Sequence, residues 1–262
     1  MAKSIISVIN QKGGVGKTTT VINLATALAK KGRKVLVIDL DPQGNASTGL
    51  GINYNQREKT IYDVLSGQTE IQAAIHQTNI SNLSIIPSTV DLSGIEPELA
   101  HETDRAYVLK NIFNSTQALD DFDFVFIDCP PALSLLTVMA MTLANSIIVP
   151  LQCEFFALEG LSQLIKTIER VKNNLNPNLH IDGIVLTMFD GRNKLSSQVA
   201  DDVKTHLKEQ VYETIIPRNV RVSEAPSFGM PALIYDHRAS GSQAYIRLAN
   251  EIIKQNNNQE AA

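Results

Sequence analysis

Ser4-Ile5-Ile6-Ser7-Val8-Ile9 runs through Asn10-Gln11 into Lys12-Gly13-Gly14-Val15-Gly16-Lys17-Thr18-Thr19, and this stretch decides the fold. An apolar, β-branched run reads as a buried strand, and the turn after it opens a helical period. Val21, Leu24, Ala25 and Leu28 mark that period, and Gly32 closes it as a cap. Three glycines let the backbone curl until successive N–H groups point inward, where a Cβ would intrude. The positive end of the following helix adds to the attraction for phosphate. In such a loop Lys17 reaches the β- and γ-phosphates, the Thr18 hydroxyl ligates Mg²⁺, and Thr19 lies near the α-phosphate. Gln11 stands where the common G-x-x-x-x-G-K-[ST] pattern has its first glycine, and a second lysine, Lys12, opens the loop instead.

Working outward, Val35 to Ile38, Leu83 to Ile86, Phe124 to Ile127, Ser146 to Val149 and Ile181 to Leu186 are further strand-like runs. Helical patterns fall between them, clearest over Ala157 to Leu175 and Leu195 to Leu207. Continuous apolar strands separated by helices predict a doubly wound α/β domain, its mostly parallel sheet covered on both faces. No repeat or linker divides the chain, so one domain over residues 1–255 is expected, with 256–262 as a polar tail that frays. Gly49-Leu50-Gly51 reads as a loop.

The 262 residues are 44% hydrophobic and 19% charged, which suits one sizeable core. Two cysteines, Cys129 and Cys153, lack any C-x-x-C spacing and fit a reducing cytoplasm. No apolar run reaches membrane-spanning length, and the N-terminus lacks a signal-peptide pattern. The net charge of −4 argues against a constitutive nucleic-acid binder. From Asp190 to Lys254 there are nine Lys/Arg against eight Asp/Glu, so this region is not basic either. The five histidines show no metal-ligand spacing.

Asp39 and Asp41 follow the second strand, and Asp128 ends the run Phe124 to Ile127 before Pro130 and Pro131. Open parallel sheets bind ligands at that carboxyl edge. Asp128 is the candidate Mg²⁺ ligand, Asp39 a holder of a Mg²⁺-bound water, and Asp41, through the family resemblance its segment carries below, the candidate for orienting the attacking water. A helix cap or turn before Pro42 is the other reading of Asp39 and Asp41.

Lys-Gly-Gly-Val-Gly-Lys-Thr-Thr resembles the deviant Walker A box of the ParA/MinD group of P-loop ATPases. Asp39 to Asn45, Ile127 to Pro131, Gln152 to Gly160 and Pro217 to Arg221 look like its chromosome-partitioning branch, ParA/Soj. The resemblance runs from about Ile5 to Leu248. It implies a P-loop NTPase fold, ATP with Mg²⁺, and slow hydrolysis to ADP and phosphate. It also implies that Lys12 reaches across an ATP-dependent sandwich homodimer to the partner's phosphates. A cation supplied in trans stabilises charge on the transferring phosphoryl group, so hydrolysis becomes tied to dimerisation. Lys12, Lys17 and Asp41 are then the catalytic set, and residues 12–19 (Gly13, Gly14, Val15 and Gly16 among them) cradle the nucleotide. Pro217 and Asn219, with Met188, lie against the adenine, although Asn219 after a proline is also ordinary turn chemistry.

The resemblance further implies non-specific DNA binding by the ATP dimer, with Arg192, Arg218 and Arg221 at matching positions. Phosphate contacts need exposed cations only, so a solvated surface charge is the plain alternative for each. Release follows when a ParB-like centromere-binding partner with a basic N-terminal segment stimulates hydrolysis. This expects a cytoplasmic, nucleoid-associated switch that segregates a chromosome or plasmid. No helix-turn-helix precedes Ser4 in this sequence, so operator binding is not expected. A MinD-like membrane-positioning ATPase and a cargo-positioning scaffold are the alternatives. Against the first, Tyr245, Leu248, Ala249 and Ile252 make a core-docking stripe with few cations beside it.

Overall fold

The computed structural model describes residues 4–207 and 210–260, the last three without side chains. In chain order the first elements are β1 (Ser4–Val8), α1 (Lys17–Lys30), β2 (Val35–Asp39), α2 (Asn45–Gly49), α3 (Ile61–Leu65), β3 (His76–Gln77), β4 (Leu83–Ile86), α4 (Ile95–Glu98) and α5 (Val108–Asn114). β5 (Phe124–Asp128), α6 (Leu135–Leu143), β6 (Ser146–Gln152), α7 (Ala157–Asn174) and β7 (His180–Thr187) follow. The chain closes with α8 (Lys194–Leu207), α9 (Val220–Glu224), α10 (Ala232–Tyr235) and α11 (Ser240–Glu260).

The sheet has seven strands in the order β3-β4-β2-β5-β1-β6-β7. All neighbours are parallel except β3, which pairs antiparallel with β4 at the edge. Side chains alternate between two cores. Ile5, Leu36, Ile38, Val125, Ile127, Ile147 and Val149 face one, covered by α3 and α5 to α8. Ile6, Val8, Val35, Val37, Phe124, Phe126 and Ile148 face the other, covered by α1 and α9 to α11. Strands buried on both faces have no polar side to show, which is why they read as unbroken apolar runs. Each fully buried branched aliphatic side chain contributes roughly 1.5–3 kcal/mol, so the two layers together favour this sheet strongly.

The doubly wound α/β P-loop fold expected from sequence is the one observed, and each of the six strands and three long helices lies within two residues of its expected ends or extends slightly past them. Gly32, at φ +82°, donates its N–H to the Ala29 carbonyl and ends α1. Two local readings differ. Gly49 closes α2 rather than lying in a loop, because its missing side chain lets Ile22 of α1 press against it. The polar stretch after 255 continues α11 to Glu260. Ala261 and Ala262 of the expected tail lie outside the described residues. Tyr245, Leu248, Ala249 and Ile252 are buried in the core shared with α1.

Candidate functional site

The loop after β1 is built on two left-handed glycines, Gly14 at φ +75° and Gly16 at φ +89°. An L-residue at either would be strained by roughly 1–2 kcal/mol. Gly16 caps α1 without any side-chain hydrogen bond, and no acidic residue occupies the first turn. The first N–H groups of a 14-residue helix therefore remain open to an anion. Lys17 is buried, and its Nζ donates to the Lys12 carbonyl at 3.2 Å. Burial lowers its pKa, opposed by Asp128, Cys129 and Asp41. From the far side Thr187, at the end of β7, donates its hydroxyl to the Val15 carbonyl at 2.8 Å and pins the loop.

The strand register brings the carboxylates together. Val8 and Asp39 both pair with Asp128, so the ends of β1, β5 and β2 lie side by side. Both Asp128 oxygens are buried with no hydrogen bond of proper geometry. Burial, with Asp39 beside it, pushes its pKa well up, opposed by hydrogen bonding to the nearby Thr18 hydroxyl and by Lys17. A buried carboxylate with no hydrogen bond of regular geometry asks for a cation, and Mg²⁺ takes most of its other ligands from phosphate and water. That suits a place where no cluster of three or more metal-binding side chains occurs among the described residues.

Asp39 is better provided. Its Oδ2 accepts from the Ser47 N–H at 2.8 Å and the Ser47 hydroxyl at 2.6 Å, while Oδ1 accepts from the Asp41 N–H at 3.3 Å. It therefore braces α2 as well as facing Asp128. Burial raises its pKa to about 6, against those hydrogen bonds. A folded-state pKa above the unfolded one means that the folded chain binds the proton more tightly. Its contribution to stability is thus present below the unfolded pKa and lost as pH rises through about 6. Relative to wild type, Asp39→Asn is expected to gain about 1 kcal/mol of unfolding free energy between pH 5 and 7.5. Urea unfolding at the two pH values measures this, and a difference that does not change with pH would contradict it. Asp41 is nearly buried, and its Oδ1 accepts from the Gln43 N–H at 2.9 Å.

Beside the loop lies a cleft of about 300 Å³ lined by Gly16, Thr19, Met188, Pro217, Asn219 and Tyr245, among others. The structure thus gathers all three residues expected at the base. Met188 sits at φ +50°, strained for a side chain with a Cβ, and packs toward Gly16. The bridge between Phe189 and Pro217 holds the two segments together. The Asn219 side chain, however, caps α9 by accepting from the Val222 N–H and donates to the Ser240 hydroxyl. Larger hollows exist, one of about 560 Å³ at the amino ends of β2, β4 and β5. It is remote from the glycine loop and gathers none of these groups.

Lys12 projects away from its own loop and pairs with Glu154, which follows β6. The exposed rings of Phe155 and Phe156 come next, edge to face at 5.0 Å. Of the expected DNA residues, Arg192 is fully outside but forks onto Asp190 at 2.9 and 2.8 Å. Arg221 pairs with Glu224 at 3.0 Å and Asp236 at 3.7 Å. Arg218 is exposed, lines the cleft beside the loop and forms no ion pair among the described residues. Sequence reasoning assigned no role to Thr187, Glu154 or Ser47, and read Tyr245 only as part of a core-docking stripe. Only Glu154 carried a signal, as one of two carboxylates, with Glu159, in a segment singled out for other reasons.

A family profile described as an AAA domain matches residues 3–181. Among curated relatives, the chromosome partitioning protein ParA of Caulobacter vibrioides is 56% identical over 98% of this chain and 96% of its own. The sporulation initiation inhibitor protein Soj of Bacillus subtilis is 47% identical, over 95% and 97%. Among solved structures, the cell division ATPase MinD of Pyrococcus furiosus superposes with a TM-score of 0.80 at 31% identity, over 97% and 99%. A Mycobacterium smegmatis protein solved as cobyrinic acid a,c-diamide synthase, with a bound ATP analogue and magnesium, gives 0.83 at 36%, over 97% and 95%. With the glycine loop, the paired lysines and the strand-end carboxylates in place, the chain belongs to the ParA/Soj family of chromosome-partitioning ATPases.

Proposed function

We propose that the chain is an ATP-hydrolysing partition switch. The observation that carries this reading is the Asp128 carboxylate, buried without a hydrogen bond of regular geometry, beside Lys17 and beneath a left-handed glycine loop. Residues 12–19 cradle the phosphates, and Met188, Pro217 and the walls of the adjoining cleft hold the adenine. Thr18 and Asp128 hold Mg²⁺, with Asp39 acting through a water. The metal supplies charge neutralisation on the phosphate oxygens. Lys17 neutralises the β- and γ-phosphates from inside, while Asp41 orients the water that attacks the γ-phosphorus, giving ADP and phosphate. Lys12 adds a second cation to the partner's phosphates in an ATP-bound homodimer.

The dimer binds DNA without sequence preference through Arg192, Arg218 and Arg221, and a ParB-like partner releases it by stimulating hydrolysis. A cytoplasmic, nucleoid-bound cycle follows. No helix among the described residues is long and apolar enough to cross a membrane. Burial of the α11 stripe against α1 also favours this reading over a MinD-like surface anchor. The test is steady-state hydrolysis of Mg²⁺–ATP. Asp41→Ala is expected to retain nucleotide binding and lose turnover by at least about 100-fold. Turnover equal to wild type in that variant would end the assignment.

A further inference from the structure

Arg57 has no part in the phosphate loop, yet its guanidinium is spent on the segment after Asp41 and on the loop packed beside it. It is half-buried. Nη1 donates to the Ser88 carbonyl at 3.0 Å, and Nη2 to the Thr48 hydroxyl at 2.8 Å. Nε and Nη2 both donate to the Ile52 carbonyl, at 3.1 and 2.9 Å. One planar fork thereby ties together α2, the chain beyond it and the loop after β4.

The ties lead on to Asp41. Thr48 donates both its N–H, at 3.1 Å, and its hydroxyl, at 3.2 Å, to the Gly44 carbonyl. Gly44 in turn donates its N–H to the Asp41 carbonyl at 2.9 Å. A second route runs through Ser88, whose N–H donates to the Ser47 hydroxyl at 3.1 Å, and Ser47 holds Asp39. Gly44 is left-handed at φ +62°, and a Cβ built there would lie 2.3 Å from Arg57 Nη1 and 2.7 Å from the Ser88 carbonyl oxygen. The guanidinium rests directly on that glycine, with no room for a side chain between them. Lysine could not reproduce this, since one ammonium cannot span three acceptors in a plane.

We propose that Arg57 is a positioning residue for hydrolysis: it clamps the turn from Asp41 to Gly44 and the helix after it, so that the Asp41 carboxylate is aimed at the attacking water. This rests on the hydrolytic reading of Asp41 given above. Misplacement of a reacting group by about 1 Å can cost on the order of 100-fold, while the phosphate loop lies outside the clamp. Loss of the clamp therefore lowers kcat and leaves KM for Mg²⁺–ATP nearly untouched.

The experiment measures kcat, KM and backbone amide exchange over residues 41–49 for wild type, Arg57→Ala, Arg57→Lys and Thr48→Val. Arg57→Ala is expected to lose at least about 10-fold in kcat with KM within about 3-fold, and exchange over 41–49 quickens. Millimolar guanidinium restores part of its turnover, which it does not do for Arg57→Lys. Thr48→Val, which removes one acceptor at constant shape, shows a smaller loss of the same kind. Turnover of Arg57→Ala within twofold of wild type overturns the proposal, as does an equal rise in KM. Should Arg57→Ala fail to fold, Thr48→Val decides: unchanged kcat overturns the clamp. If wild type itself does not hydrolyse ATP, the hydrolytic reading fails, and unchanged exchange in the folded variants then overturns the clamp separately.

Discussion

A random-sequence DNA duplex is expected to bind the wild-type chain with ATP, and to be ignored with ADP, without nucleotide, and by Lys17→Ala in every state. The electrostatics motivate that expectation. The chain carries a net charge of −4, and two of its three candidate arginines already spend their charge on neighbours, Arg192 on Asp190 and Arg221 on Glu224 and Asp236. Of the three, only Arg218 makes no ion pair among the described residues, so one protomer offers DNA little. Joining two such patches turns weak contacts into avidity. With about six phosphate contacts per dimer, affinity should fall roughly 1,000-fold between 50 and 200 mM salt. Arg221→Glu is expected to abolish binding, and Arg218→Ala to cost more than Arg192→Ala, because Arg192 is held in a close fork by Asp190 while Arg218 makes no ion pair among the described residues. Filter binding with each nucleotide at two salt concentrations measures all of this. Strong binding by the nucleotide-free monomer would remove the switch, and silence in every state would leave an ATPase without a partition role.

What could be read in the sequence follows a physical divide. The central strands were legible because a strand buried on both faces must be apolar throughout, as Val35 to Ile38 and Phe124 to Ile127 are. The glycine loop was legible because two left-handed positions and an N-terminal cradle admit few other residues. The edge strand β3 was not, since His76 and Gln77 are polar and owe their conformation to β4 alone. Nor were the ties that tune the site. Thr187 meets Val15 across 172 residues and Lys12 meets Glu154 across 142, separations over which no local pattern survives. Asn219 shows the limit from the other side: its place beside the base cleft was expected, but its amide is committed to capping α9.

The second large effect concerns Lys12, and its test separates a partner's lysine from the chain's own. Lys12→Ala is expected to lower Mg²⁺–ATP turnover by about 100- to 1,000-fold, toward the scale of a missing arginine finger. Monomer nucleotide affinity should change little, because Lys12 Nζ points outward to Glu154 while the buried Lys17 serves the loop. An exposed ion pair of this kind holds only about 0.2–1 kcal/mol, so in the proposed dimer the partner's phosphates should displace Glu154 readily, and Glu154→Gln is expected to raise turnover a few-fold at most. The decisive step is to mix Lys12→Ala with Asp41→Ala. In a mixed dimer the Lys12→Ala protomer keeps its own Asp41 and receives Lys12 from its partner, giving one complete site, while the other site lacks both groups. Random pairing makes half the dimers mixed, so two nearly dead variants should together recover about a quarter of wild-type turnover. A lysine acting within its own chain leaves both kinds of site defective, and mixing would then restore nothing.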